Sequence, residues 1–120
     1  MTETQSGDAL SPKAVLALYP PHRDTVPSLL SSRVAVCPGR EVVRFEGRSW
    51  TYSDLERASL LVAQWLTAQG IEPGARVAHV ATNSDTALIV FLAVARLGAI
   101  FVPINWRLSP HETAAIVEHC

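Results

Sequence analysis

The sequence has few cysteines, few lysines and few charged side chains of either sign. Its 120 residues include two cysteines, Cys37 and Cys120, and no C-x-x-C spacing, which argues against a disulfide framework and a cysteine-based metal or redox motif. Nine arginines and one lysine nearly balance eleven acidic side chains, for a net charge of −1. This balance excludes a basic nucleic-acid-binding protein and an acidic disordered tail.

A secretory signal is also missing, because no basic segment followed by an apolar core occurs in the first thirty residues. The longest apolar run covers residues 87–95, about half of the ~20 residues that a membrane span needs. We therefore expect this run to be buried in protein and the chain to have no membrane span. The scarcity of cysteine favours the reducing cytoplasm as its location.

The order of elements along the chain predicts one α/β domain. Residues 1–24 contain a polar start and the pair Pro20-Pro21, and we expect a flexible lead-in there, with a short helix near 12–19. The expected elements in residues 25–120 are a helix after Thr25, a hairpin at 41–50, a helix after Thr51, a strand at 76–81, a helix after Asn83 or Ser84, a strand at 99–102 and a helix after Ser109.

This order implies a partial parallel sheet with flanking helices and an N-terminal β-hairpin. The helix after Thr51 carries one apolar stripe, in which we expect Trp65 to fill the core. The stripe consists of Leu55, Ala58, Val62, Trp65 and Leu66.

Residues 87–102 are almost entirely apolar, so their helix has no face suited to water. The strand at 99–102 is likewise typical of a parallel sheet that is covered on both faces. Three helices and a few strands cannot cover these elements on every side. We therefore expect residues 25–120 to be an incomplete part of a larger domain.

Three stretches, read in order, resemble the N-terminal part of the adenylate-forming (AMP-binding) superfamily, and most of all its acyl-CoA synthetases, or acid–CoA ligases. They are FEGRSWTYSDL at 45–55, LTAQGIEPGARVA at 66–78 and RLGAIFVPINWRL at 96–108. The resemblance also includes the pair Asn83-Ser84 and covers about two thirds of the chain. Two positions depart from the family pattern: Ala75 replaces the usual Asp, and Trp106 replaces the usual Pro.

The resemblance implies a two-step ligation in which a carboxylic acid attacks ATP to form an acyl-adenylate, and a thiol such as CoA then displaces AMP. ATP, Mg²⁺ and CoA would serve the complete enzyme. The chain contains no phosphate-binding G-x-x-x-x-G-K-[ST] motif, and its single lysine, Lys13, lies in the lead-in. We therefore assign it no catalytic residue and no metal ligand, and we expect these 120 residues alone to be inactive.

Arg107 and Asn105 are the candidate cofactor-binding residues. Arg107 follows the end of a buried strand and precedes a helix start at Ser109, and both places attract phosphates; the resemblance suggests that nucleotide phosphates of CoA reach this turn. The alternatives are an Arg107 that is solvated or paired with a neighbouring carboxylate, and an Asn105 that only holds the loop through a side-chain bond to the backbone. Helix capping explains the pair Asn83-Ser84 without a ligand. We expect His79 to be a half-buried structural histidine.

A second function class stays open, namely a stand-alone, non-catalytic binding module that docks through exposed apolar surface. A dinucleotide-binding domain is disfavoured, because no glycine fingerprint follows the strand at 76–81. The expected partners are a small carboxylic acid, ATP and CoA, without nucleic acid. The sequence leaves open which acid is used, whether the acceptor is CoA or a carrier-protein thiol, and the oligomeric state.

Overall fold

The computed structural model describes Ser11, Lys13 and residues 25–120. Apart from Ser11 and Lys13, the lead-in at 1–24 and its short helix lie outside the described residues, so both remain predictions. The elements are α1 (Val26–Val36), β1 (Glu41–Phe45), β2 (Arg48–Thr51), α2 (Tyr52–Ala68), β3 (Arg76–Ala81), α3 (Asp85–Arg96), β4 (Ile100–Asn105) and α4 (Pro110–His119).

Strands β1 and β2 form the predicted antiparallel hairpin. Its two-residue turn places Glu46 at φ 46° and Gly47 at φ 78°. Two positive φ values in succession are the signature of a type I′ turn, whose twist matches that of the flanking strands. Glycine at the second position adopts this conformation without the steric penalty that a Cβ brings.

Side-chain caps fix the starts of the helices where the sequence places them. The Thr51 hydroxyl accepts from the Asp54 N–H at 3.1 Å, and the Asp54 carboxylate accepts from the Thr51 N–H at 2.9 Å, which completes the predicted capping box. Of the two candidate caps for α3, Ser84 takes the role. The Ser109 hydroxyl accepts from the Glu112 N–H at 3.2 Å and begins α4.

Strands β3 and β4 pair in parallel, with Arg76 opposite Ile100 and Ala81 opposite Asn105. This confirms the α/β class, in the form of two small two-stranded sheets with flanking helices. β4 continues three residues beyond the predicted end at Val102 and passes through Pro103. A proline has no N–H to donate, and a strand with a free edge tolerates it there.

The core lies where α2 packs against α3. One cluster of buried side chains joins Leu30 of α1 and Leu55 of α2 to Ile89 and Leu92 of α3. A second cluster, nearer the parallel sheet, contains Ala63, Leu66, Ala93 and Val94. Helix α3 therefore contributes side chains to both clusters. Its position fixes the loop that leads into it from β3.

The predicted burial of Trp65 is wrong, because its side chain is 60% exposed. The buried face of α2 instead includes Ser59, which has no exposed surface, and Ala63. Ala63 packs in one cluster with Ala93 of α3. The rest of the predicted stripe is confirmed, since Leu55 and Leu66 are buried and Ala58 and Val62 are half-buried against the core. The buried face is therefore shifted toward Ser59 and Ala63, and Trp65 lies at its exposed edge.

The described fold does not enclose the apolar segment at 87–102. Helix α3 buries Ile89, Leu92, Ala93 and Val94, whereas Ile100 of β4 remains 47% exposed. Other side chains of α3, such as those of Leu88 and Val90, are only half-buried. Among the residues that the structure describes, no helix has the length and hydropathy to cross a membrane.

Candidate functional site

A crevice of about 440 Å³ opens at the carboxyl ends of β3 and β4. The sheet register brings Ala81 and Asn105, the last residues of these strands, side by side. Crevices at this end of parallel strands are the usual ligand sites of α/β folds. The polar and basic side chains in the lining come from β3, the loop before α3 and the turn after β4: His79, Thr82, Asn83, Asn105 and Arg107.

The turn after β4 brings the two predicted site residues, Asn105 and Arg107, to one wall of this crevice. The Asn105 side-chain oxygen accepts from the Arg107 N–H at 3.0 Å, and the Asn105 carbonyl accepts from the Leu108 N–H at 3.2 Å. The Arg107 guanidinium carbon lies 5.3 Å from the centre of the Trp106 ring. Asn105 therefore shapes the turn, and Arg107 presents its charge to solvent beside an indole.

The start of α3 forms the opposite wall. The Ser84 hydroxyl accepts from the Ala87 N–H at 3.1 Å, and the Asp85 carboxylate accepts from the Thr86 N–H at 2.9 Å. Donors that a helix start usually offers to an anion are thus already bonded within the chain. Asn83 lines the crevice without capping α3. Arg107 is the cationic side chain that this crevice offers to an anion, beside the neutral donors of Thr82 and Asn83.

His79 is half-buried, as the sequence predicts, and its ring centre lies 5.7 Å from that of Phe101. Phe101 in turn meets Phe91 of α3 at 5.6 Å between ring centres, edge to face. Tilted and edge-to-face ring pairs are favourable packing arrangements. His79 therefore acts as part of the crevice floor that joins the sheet to α3.

A buried carboxylate that the sequence analysis missed ties the hairpin to the start of α3. Asp85 is 2% exposed, and its oxygens accept from Arg48 Nε at 2.7 Å, Arg48 Nη2 at 2.8 Å and Trp50 Nε1 at 2.9 Å. The hydrogen bonds from Arg48 hold the pKa of Asp85 far below its ordinary range. An acidic residue in the first turn of a helix is a common sequence signal, but its partners lie about 35 residues away.

Mg²⁺ does not fit the described residues. No group of three or more histidine, cysteine, aspartate or glutamate side chains within the described part of the chain is arranged to hold a metal ion. Asp85, near the crevice, already bonds to Arg48 and Trp50. The side chains of the crevice thus offer amide, hydroxyl, imidazole and guanidinium groups, which suit a phosphate-bearing ligand better than a divalent cation.

Comparison with known families gives one clear match: residues 30–120 fit the family model described as AMP-binding enzyme. This range includes both sheets, α2, α3 and the crevice. Two curated relatives illustrate the similarity. A fatty acid–[acyl-carrier-protein] ligase of Streptomyces coeruleorubidus is 34% identical over 101 residues, covering 84% of this chain and 20% of that protein.

The second relative is an indoleacetate–CoA ligase of Aromatoleum aromaticum, 36% identical over 83 residues, which are 69% of this chain and 16% of the relative. The chain thus spans about a fifth or less of the length of these relatives.

A fatty acyl CoA synthetase of Mycobacterium tuberculosis is a similar solved structure, with a TM-score of 0.74 at 33% sequence identity; the match covers 78% of this chain and 19% of that one. A second, VinN in complex with L-aspartate, has a TM-score of 0.76 at 25% identity and covers 81% of this chain and 25% of its own. The fold, the crevice and the match over 30–120 agree: the chain belongs to the AMP-binding enzyme family.

Proposed function

We propose that this chain forms the N-terminal portion of an ATP-dependent, AMP-forming acid–CoA ligase. The single observation that carries the proposal is the crevice at the carboxyl ends of β3 and β4, lined by Arg107, within a family-matched segment. The relatives named above are ligases of carboxylic acids, according to their names. The ligase would work in the cytoplasm on a small carboxylic acid.

The exposed apolar surface supports an N-terminal portion rather than a complete enzyme. Ile100 and Val80, each about half exposed, lie on the two strands of the parallel pair. Parallel sheets are normally covered on both faces. In a complete ligase, further polypeptide would cover this sheet and supply the groups that hold the triphosphate.

The reaction would join an acid to a thiol in two balanced steps. A carboxylate oxygen attacks the α-phosphorus of ATP, which forms the acyl-adenylate and releases pyrophosphate. The thiol sulfur then attacks the acyl carbon, loses its proton and displaces AMP. Because the described residues do not fit Mg²⁺ and the sequence lacks a P-loop motif, this portion would not carry out the first step by itself.

This chain would contribute a phosphate contact to the second substrate. Arg107 is exposed and presents a permanent charge at the mouth of the crevice. The Asn105 side-chain oxygen accepts a hydrogen bond from the Arg107 N–H and so fixes the turn that carries the guanidinium. We assign the nucleotide phosphates of CoA to Arg107, and we give Asn105 the role of orienting the turn.

The test is a titration of the purified 120-residue chain with CoA, followed by NMR of backbone amides and of the Trp106 indole N–H. We expect shifts confined to Asn105, Trp106 and Arg107. Arg107→Ala should raise the dissociation constant about fivefold, as expected for an exposed ion pair. Arg40→Ala, which removes an exposed arginine outside the crevice, should change nothing.

ATP–pyrophosphate exchange provides the second measurement of the same experiment. We expect no exchange by the 120-residue chain, since the phosphate-binding motif is absent from its sequence. Measurable exchange would refute the proposal that adenylation requires polypeptide outside these 120 residues. Absence of any CoA-dependent shift, in a chain whose amide spectrum is dispersed as for a folded protein, would instead favour the non-catalytic binding module.

A further inference from the structure

Helix α2 has a second apolar stripe, on the side that faces away from α3. Leu61 and Trp65 are 62% and 60% exposed, and Leu60 is 41% exposed. Exposed Arg57 continues the row formed by Leu61 and Trp65, since residues four apart are neighbours on a helix surface. We refer to Arg57, Leu61 and Trp65 as the outer row.

The outer row is self-complementary about Leu61. Arg57 and Trp65 each lie four residues, about 6 Å along the axis, from Leu61. If two copies of α2 cross antiparallel at Leu61, a two-fold axis places Arg57 of one copy opposite Trp65 of the other, twice. Rows of residues four apart also form the ridges that interlock in the commonest class of helix packing.

The charges suit this pairing. Arg57 is exposed and forms none of the salt bridges found among the described residues, although it interacts electrostatically with the Asp54 carboxylate one turn earlier. Its guanidinium can therefore reach a second partner. A guanidinium over an indole face is a favourable cation–π contact, and tryptophan is the best aromatic partner for it. The crossing would therefore place a cation on an aromatic ring at both ends of the row, with leucine against leucine between them.

The surface next to the outer row has room for the incoming indole. A groove of about 490 Å³ lies between β2 and α2, and its lining includes Trp50, Arg57, Ala58 and Leu61. A tryptophan that approaches Arg57 from a second copy would enter this groove beside Leu61. Aromatic and arginine side chains in such central pockets dominate the energetics of many interfaces.

We propose that the outer row of α2 is a dimerisation surface whose occupant is a second copy of this chain. The row covers only part of one helix, so the buried area lies at the small end of the range for specific interfaces. We therefore expect a reversible dimer with a micromolar dissociation constant. The proposal stands apart from the ligase function, because the outer row shares no residue with the crevice.

The first test is sedimentation velocity of the 120-residue chain over a concentration series, with a single variant and a double variant that restores the composition and net charge of the natural chain. Trp65→Arg sets arginine against Arg57 and should weaken dimerisation at least about tenfold. The double variant Arg57→Trp, Trp65→Arg has the same net charge as the natural chain and restores both cross-copy pairs, so it should recover most of the affinity. A second copy bound through another surface would not respond in this way.

The second test places a cysteine at the predicted two-fold axis. In a Cys37→Ser, Cys120→Ser background, Leu61→Cys should oxidise to a disulfide-linked dimer, because helices packed 8–10 Å apart bring Cα atoms at the crossing within about 6 Å. Val117→Cys is the control, since Val117 is equally accessible on α4 at 50% exposure.

Any of three results overturns the proposal. One is a chain that stays monomeric at several hundred micromolar. Another is association that Trp65→Arg leaves unchanged, or that the double variant fails to restore while its circular dichroism remains native. Equal cross-linking through Leu61→Cys and Val117→Cys would likewise show random collision rather than a defined interface.

Discussion

At the scale of single residues, Asp85 connects more parts of the molecule than any residue singled out from the sequence. It belongs to the first turn of α3, and it accepts hydrogen bonds from Arg48 and Trp50 of the hairpin. The same helix start borders the crevice through Ala87. Asp85 therefore fixes the hairpin and one wall of the candidate site together.

The ionisation of the Asp85 carboxylate makes the stability of the fold against unfolding depend on pH in a defined direction. Because the hydrogen bonds from Arg48 lower the pKa of Asp85 in the folded chain, its contribution is present above the ordinary pKa of 3.8 and declines as the pH falls below it. We expect the urea midpoint of the natural chain to fall between pH 5 and about pH 2. Asp85→Asn should lower the midpoint at pH 7 and flatten this decline.

The control for this prediction is Glu118→Gln, which alters an exposed carboxylate of α4. It should leave both the midpoint at pH 7 and the acid-induced decline as they are. An Asp85→Asn chain that loses stability in acid as steeply as the natural chain would show that other carboxylates control the transition.

At the scale of elements, local patterns predict starts and ends well and helix orientation less well. The capping box at Thr51 and the turn at Glu46-Gly47 depend on neighbours within four residues, and both are confirmed. The exposure of Trp65 goes with a buried face that includes the small residues Ser59 and Ala63, of which Ala63 packs with Ala93 of α3. A stripe of large apolar residues does not reveal that small side chains share the buried face.

The candidate site shows the same division. Asn105 and Arg107 are predictable because they follow a strand and precede a helix, and both line the crevice. The partners of Asp85 are not predictable from the sequence, because Arg48 and Trp50 reach it through the tertiary fold. Long-range polar contacts of this kind carry no periodic signal in a single sequence.

The orientation of α2 leads to a prediction at this scale. Leu55 is 3% exposed and lies in the core, so Leu55→Ala should destabilise the packing of α2 on α3 by about 2–5 kcal/mol. Leu61→Ala removes the same atoms from an exposed position and should change stability by no more than about 0.5 kcal/mol. Hydrogen exchange of peptides from α3, read by mass spectrometry at a protein concentration below micromolar, measures both. Equal effects of the two substitutions would contradict the observed orientation of the helix.

At the scale of the whole molecule, the chain combines a family-matched fold with apolar surface that the described residues leave exposed. Ile100, Val80 and Val117 are each about half exposed around the parallel pair. The match to AMP-binding enzymes over 30–120, in a chain that spans about a fifth of its relatives' length, agrees with the proposal that further polypeptide covers this surface. The two-stranded sheet is then a unit that depends on its neighbours for stability.

Thermal unfolding of the isolated 120-residue chain, followed by circular dichroism and calorimetry, tests this dependence most directly. A parallel pair whose outer face lacks cover should lose structure over a broad temperature range, with a van't Hoff enthalpy well below the calorimetric one. A sharp transition with equal enthalpies would mean that these residues form a self-sufficient domain, and it would contradict their proposed place as one portion of a larger ligase.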